Sequence, residues 1–511
     1  MPFRPFGPRA HRRAVGTVHA VLRRASRLGL PYVWLLAIAT GALVGVASVA
    51  FRIAIDAFQT LAYGADDADI VQHLSDAPWW LFFAVPTGVG LLVGLLIQFG
   101  LPGGRAHGIA DVIRARDIDR GRVNVREGLV TALVATLSLG GGASTGREGP
   151  VVHIGATISS AVSGALHLGA SQSRTLLGCA AAAAVSALFN APLAGTLFAL
   201  EVVLGAYSIR VFAPIVVASA CGALVNRALI GDTPGFTVPS HEMATLWQLP
   251  LFLFLGVIAA VAAIALSSMI FAVNGAGDRL QARLRLPLFL RPAIAGLLLG
   301  AIGLHWPEVV GVGYAATSGA LSGAYPFALA CAVIAAKMLA VAISFGGRFG
   351  GGLFSPSLML GALVGAAYGD LLLAYFAWIP LPPVSLFALA GMGALSAVML
   401  GAPISTTLIV FELTGDYRTA LAVMTAVSVA TVLAQRRIRR SFFYEQLERE
   451  GVPLAGGRHR YALRCTPIAR ILDEPWGAEE ERRARGLLAE GLALRPGDSL
   501  AEMLAQTKRH G

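Results

Sequence analysis

What most limits the fold of this chain is where it carries no charge. Uncharged stretches recur along its length, at residues 32–51, 79–104, 175–200, 309–336 and 371–411. Each reaches or exceeds the roughly 20 residues that a helix needs to cross a bilayer. The composition agrees: 56% of the 511 residues are hydrophobic and only 14% are charged, where a soluble domain carries about a quarter. Mean hydropathy is +0.69. The expectation is an all-α integral membrane protein, with most of the fold in lipid.

A net charge of +11 does not point to nucleic acid, because the basic residues gather at the two ends of the apolar block. Arg4, Arg9, Arg12, Arg13, Arg23, Arg24 and Arg27 precede it, and Arg436, Arg437, Arg439 and Arg440 follow it. Positive flanks stay on the cytoplasmic side. Both termini are therefore expected in the cytoplasm, against anionic membrane lipid. The Arg-rich start runs to Arg27, and the first apolar stretch is too long and continuous for a cleaved signal, so it is expected to stay. Cys179, Cys221, Cys331 and Cys465 are scattered without metal-ligand spacing, so no metal or cofactor is expected. The three in apolar surroundings read as small core residues.

The sequence divides into a basic segment at 1–30, an apolar domain at 31–447 and a charged tail at 448–511. Gly and Pro clusters interrupt the apolar segments, which straight spanning helices would not need. Broken helices at membrane depth line a cavity. An internal repeat orders them: Ala191-Pro192-Leu193-Ala194-Gly195-Thr196-Leu197, closed by Glu201, recurs as Ala402-Pro403-Ile404-Ser405-Thr406-Thr407-Leu408, closed by Glu412. Gly140 stands ten residues before Pro150, as Gly346 stands ten before Pro356. Two related halves, at about 31–230 and 245–435, with interruptions at matching places point to a transport site at their interface. An odd number of crossings per half would make them inverted.

Between residues 129 and 173 the only charges are Arg147 and Glu148, in Gly146-Arg147-Glu148-Gly149-Pro150. An ionisable group near the bilayer centre costs at least about 2.5 kcal/mol, which makes it a functional candidate by default. Pro150 suits a first helical turn and Gly149 admits a close backbone approach, so the motif reads as a helix start. Such a start carries about half a positive charge and unpaired N–H groups. These suit a small anion or the carboxylate of Glu148 equally. Competition between the two is a gate, which protonation or displacement of Glu148 opens; a static ion pair with Arg147 is the alternative. The second half offers Gly350-Gly351-Gly352-Leu353-Phe354-Ser355-Pro356. The amides of Leu353 and Phe354 are expected to face that of Gly149, while Lys337 and Arg348 raise the local potential for anions.

These motifs resemble the ClC chloride channel and chloride–proton antiporter family. GREGP stands whole at 146–150, GGLFSP at 351–356 matches the family's GxFxP element, and the pattern covers about residues 30–447. The resemblance implies two inverted-topology repeats of broken, tilted helices in each subunit, a homodimer, and one anion pathway per subunit. It implies Glu148 as the gating glutamate, and anion contacts from the amides of Leu353 and Phe354 and from the hydroxyl of Tyr444. Chloride or a similar small anion is the implied substrate, with protons as a second. Glu201 and Glu412 match acids to which a structural role is given.

Two departures stand out. Where the family usually reads GSGIP, this chain has Arg105-Ala106-His107-Gly108-Ile109-Ala110, so His107 takes the place of the serine whose hydroxyl contacts the anion. An imidazole N–H also donates to anions and gains charge below a pH of roughly 6.5, which opens a different selectivity, toward fluoride or nitrate for example. After Glu201, proton-coupled members commonly carry a second glutamate; here Val202 stands. Channel and exchanger both remain open. The stretch at 494–504 looks like the opening of a regulatory CBS domain, with too little chain after it for a nucleotide-binding pair. No HExxH, serine triad or phosphate loop is written here, so an enzyme is not expected, and a mere scaffold would have no use for buried charge.

Overall fold

The computed structural model describes residues 30–454, apart from 66–68, 232–238, 240–242, 244, 377 and 439, together with residue 499. The Arg-rich start, Arg439, Cys465 and the CBS-like stretch, save Ser499, lie outside the described residues. The chain divides into two units between Phe442 and Phe443.

In the first half run α1 (Leu30–Tyr63), α2 (Ile70–Asp76), α3 (Trp79–Gly100), α4 (Ile109–Asp117), α5 (Val125–Gly140), α6 (Glu148–Ala165), α7 (Ala170–Phe189), α8 (Pro192–Phe198) and α9 (Ile209–Leu229). The second half comprises α10 (Leu249–Leu284), α11 (Leu290–Gly303), α12 (Tyr314–Leu321), α13 (Phe327–Gly346), α14 (Phe354–Phe376), α15 (Val384–Leu400), α16 (Pro403–Thr414) and α17 (Tyr417–Ala434). A further helix, α18 (Phe442–Arg449), leads into the second unit. Gly146 and Gly352 form an isolated β bridge. Among the described residues, seven helices are long and apolar enough to cross a membrane.

Three of the uncharged runs do not become single spans. The run at 175–200 breaks into α7 and α8, where Asn190 turns left-handed at φ 55° and Pro192 opens the next helix. Its counterpart breaks between α15 and α16, where Gly401 turns left-handed at φ 68° before Pro403. The run at 309–336 is shared between α12 and α13. Proline lacks the N–H that would continue the previous helix, so it starts a new one.

The same break in both halves produces a reciprocal lock. Glu201, in a π-helical turn after α8, accepts from the N–H groups of Ile404 at 3.2 Å and Ser405 at 2.9 Å, and from the Ser405 hydroxyl. Glu412, near the end of α16, accepts from the N–H groups of Leu193 at 2.9 Å and Ala194 at 2.8 Å. Each carboxylate thus satisfies orphan donors at the other half's helix start. Because each acid beyond or near the C-terminal end of one helix closes the N-terminal end of the other, the two helices run antiparallel, as in inverted halves.

Close helix crossings hold the halves together. Gly90 and Gly94 of α3 lie on the backbone of Pro292 and Phe289, and Gly296 and Gly300 of α11 on that of Pro86 and Phe82; an added Cβ would overlap main chain at each. Small residues four apart are how helices approach in lipid, where no hydrophobic effect drives them together. Residues 385–400 of α15 are all buried, as an apolar helix at the centre of a bundle must be. The cysteines correct one expectation: Cys179 is buried, but Cys221 is only partly so and Cys331 is exposed on α13. In a membrane protein an apolar sequence context does not separate core from lipid-facing positions.

Candidate functional site

The site is built from two connections, residues 141–147 between α5 and α6 and residues 347–353 between α13 and α14. They are tied to each other in matched pairs. The N–H of Ser144 donates to the Ser344 hydroxyl at 3.0 Å, and the N–H of Gly350 donates to the Ser138 hydroxyl at 3.0 Å. Gly146 and Gly352 exchange backbone hydrogen bonds, N–H of Gly146 to O of Gly352 at 2.7 Å and the reverse. So close a crossing needs glycine: a Cβ on Gly149 would lie 2.9 Å from the Cα of Gly352.

Each connection delivers the chain into a helix start facing the other half. Glu148 is the first residue of α6 and is fully buried. Its carboxylate accepts from the Ser355 N–H at 3.2 Å and from the Ser355 hydroxyl, in the first turn of α14. Leu353 and Phe354 are buried beside it in sequence, the Phe354 ring edge-on to Phe189 with centroids 5.0 Å apart. The Arg147 guanidinium lies over the Tyr314 ring, 4.3 Å from its centroid.

The remaining candidates are held by other partners. Lys337, fully buried, donates to the carbonyls of Val309 at 3.2 Å and Gly311 at 3.1 Å. Arg348, left-handed at φ 63°, donates to the Gly104 carbonyl at 2.7 Å and to Asp278 at 3.1 Å. His107 donates its backbone N–H to Thr131 Oγ1 at 3.4 Å, with its Nε2 3.8 Å from the Glu127 carboxylate. Val202 is buried in the π-helical turn after α8. Tyr444 lies on α18, in the second unit.

Sequence reasoning passed over three residues. Ser355 is the immediate partner of Glu148 across 207 positions of chain, and only its place before a helix-opening proline hinted at it. Tyr314 gives Arg147 an aromatic face. His153, one turn into α6, meets His107 with ring centroids 5.4 Å apart.

Inverted halves of broken helices, meeting around a fully buried carboxylate on helix-start donors, define an integral membrane protein of the transporter class. A model of the voltage gated chloride channel family matches residues 89–435. The chain is 34% identical over 393 residues to a putative chloride channel protein, ClcB-like, of Ralstonia nicotianae, covering 76% of this chain and 90% of that protein. It is 30% identical over 410 residues to the H(+)/Cl(-) exchange transporter ClcA of Salmonella agona, covering 78% and 85%. The fold is similar to the crystal structure of a slow cyanobacterial Cl-/H+ antiporter, with a TM-score of 0.71 at 23% identity, covering 82% of this chain and 97% of that one. The chain belongs to the voltage gated chloride channel family, the ClC family.

Proposed function

We propose that this protein transports chloride or similar small inorganic anions across the membrane, and that Glu148 is the gate of its pathway. The observation that carries the reading is the position of the Glu148 carboxylate, buried and bound to the N–H and hydroxyl of Ser355. Those donors serve a halide as well as they serve a carboxylate, because both are single negative charges that accept hydrogen bonds. Occupation by one excludes the other. Ionised Glu148 closes the site, and protonation or an incoming anion displaces it. The amides of Gly149, Leu353 and Phe354 and His107 complete the proposed anion contacts, with Arg147, Lys337 and Arg348 setting a positive potential around them.

Val202 favours anion movement without obligatory proton exchange, since a buried valine carries no proton. The likeness to an H(+)/Cl(-) exchange transporter favours the second reading, coupled exchange. Imposing a chloride gradient on proteoliposomes separates them: proton uptake means exchange, and its absence means a channel. Membership of the ClC family supports a homodimer. The basic flanks support a cell-membrane location with cytoplasmic termini. The gate is tested by Glu148→Ala in liposomes. Anion flux persists and no longer responds to external pH; an unchanged pH response overturns the gating role.

A further inference from the structure

One position in the paired connections differs between the halves in a way that the backbone does not ask for. Gly142 stands two residues after Gly140, and Arg348 stands two after Gly346. Both are left-handed, Gly142 at φ 86° and Arg348 at φ 63°. The main chain around them repeats: the N–H of Gly142 donates to the Leu139 carbonyl as that of Arg348 donates to the Phe345 carbonyl, and the N–H of Ala143 to the Ser138 carbonyl as that of Phe349 to the Ser344 carbonyl. Glycine takes this conformation freely, whereas a Cβ raises its energy. The second half therefore keeps an arginine where the frame suits glycine, and strain held in this way points to a task for the side chain.

The guanidinium reaches two partners far off in sequence, the Gly104 carbonyl at 2.7 Å and the Asp278 carboxylate at 3.1 Å. Gly104 is itself left-handed at φ 63°, and a Cβ there would lie 3.0 Å from the Arg348 guanidinium, so the approach needs glycine on that side too. Asp278 of α10 also accepts from Arg291, at the start of α11. Arg291, whose side chain is 7% exposed, donates to the Gly346 carbonyl at 2.6 Å, to Gln281 at 3.1 Å and to the Asn274 side chain at 2.8 Å. One carboxylate between two arginines thus joins α10, α11, the end of α13, the 347–353 connection and the segment before α4. Two of these pieces lead to proposed anion contacts: the connection runs into Leu353 and Phe354, and Gly104 stands three residues before His107. Arginine suits such a junction because its donors sit in a rigid planar fork, where lysine offers a point charge on a flexible stem.

We infer that Arg348 is a positioning residue for anion selectivity: its forked guanidinium, anchored by Asp278 and Arg291, fixes the spacing between the segment at 104–108 and the connection at 347–353, and with it the size of anion that the contacts on the two accept. The inference rests on the anion-transport reading, and gives Arg348 a geometric task that its charge alone does not perform.

The test is the nitrate-to-chloride flux ratio of the full-length protein in liposomes, measured beside its thermal unfolding midpoint in detergent. Arg348→Lys keeps the charge and loses the fork, and moves the ratio by at least about threefold, as the loss of one hydrogen bond does. Asp278→Ala, which removes the anchor, moves it in the same direction. Arg348→Ala and Arg348→Gly shift the ratio equally, although the glycine variant is relieved of the left-handed strain and unfolds at the higher temperature of the two. A ratio unchanged in Arg348→Lys overturns the inference, since charge alone then suffices. A ratio that follows the unfolding temperatures of the alanine and glycine variants also overturns it, because Arg348 then acts through stability only. An unmodified protein that passes no anion defeats the transport reading and the inference with it, while chloride flux with a ratio that no variant moves defeats the inference alone.

Discussion

The carboxylates of Glu201 and Glu412, which close helix starts across the two halves, obey the symmetry of this molecule, and that of Glu148 does not. Glu201 and Glu412 are counterparts, each closing the other half's helix with two backbone N–H bonds. Glu148 has no counterpart. Its position, eight residues after Gly140, corresponds to Phe354, eight after Gly346. The loops around it keep the backbone pairing, Ser144 with Ser344 and Gly350 with Ser138, while the side chains at the two helix starts differ. A role that the fold needs is filled twice, once in each half. A carboxylate placed once, fully buried, on a symmetric frame is free to serve function instead, and the expense of keeping charge at that depth argues that it does.

Removing both symmetric acids, Glu201→Ala with Glu412→Ala, is expected to cost about 2–4 kcal/mol of stability, since each helix start loses a cap worth roughly 1–2 kcal/mol. Thermal unfolding in detergent shows it, while the pH response of flux stays as in the unmodified protein. A pH response lost along with the stability would mean that the two regions are not separate. Ser355→Ala comes next. It removes a hydroxyl donor that the closed Glu148 carboxylate and the anion share, about 1.5 kcal/mol from either, so chloride binding in the Glu148→Ala background weakens by about tenfold; an unchanged affinity would mean that this hydroxyl does not contact the anion.

Taken singly, the symmetric acids sharpen the point. Glu201→Ala should exceed Glu412→Ala by about 1 kcal/mol, the worth of the additional hydroxyl bond from Ser405. Denaturation midpoints of the two variants decide it, and a larger cost for Glu412 would contradict the cap assignment. The smallest effect is His107→Ser, which should shift the relative permeability of chloride, nitrate and fluoride by about threefold, a single donor exchanged for another. An untouched order of permeation would remove His107 from the selectivity of the path.

Much of this architecture was legible because it is written in exclusions. Absence of charge marks the membrane domain, and prolines and glycines at matched offsets mark the breaks and the repeat. The start of α6 at Glu148 and the Ala-Pro helices follow from those local rules. What the sequence did not disclose depends on distance along the chain. Ser355 lies 207 positions from the carboxylate it binds, and His153 meets His107 only because α6 packs beside the segment before α4. Uncharged runs also concealed their own divisions: residues 371–411 contain the end of α14, all of α15 and most of α16. Burial of Cys331 was misjudged for a related reason, since hydropathy reports that a residue avoids water and not whether lipid or protein replaces it.

The central claim is that one position takes either an anion or the Glu148 side chain. A structure of the protein determined at high chloride and low pH tests it most directly. The expected result is an anion within hydrogen-bond distance of the Ser355 N–H and hydroxyl, with the Glu148 carboxylate swung away from both. A carboxylate still seated on Ser355 while chloride occupies the pathway elsewhere would contradict it.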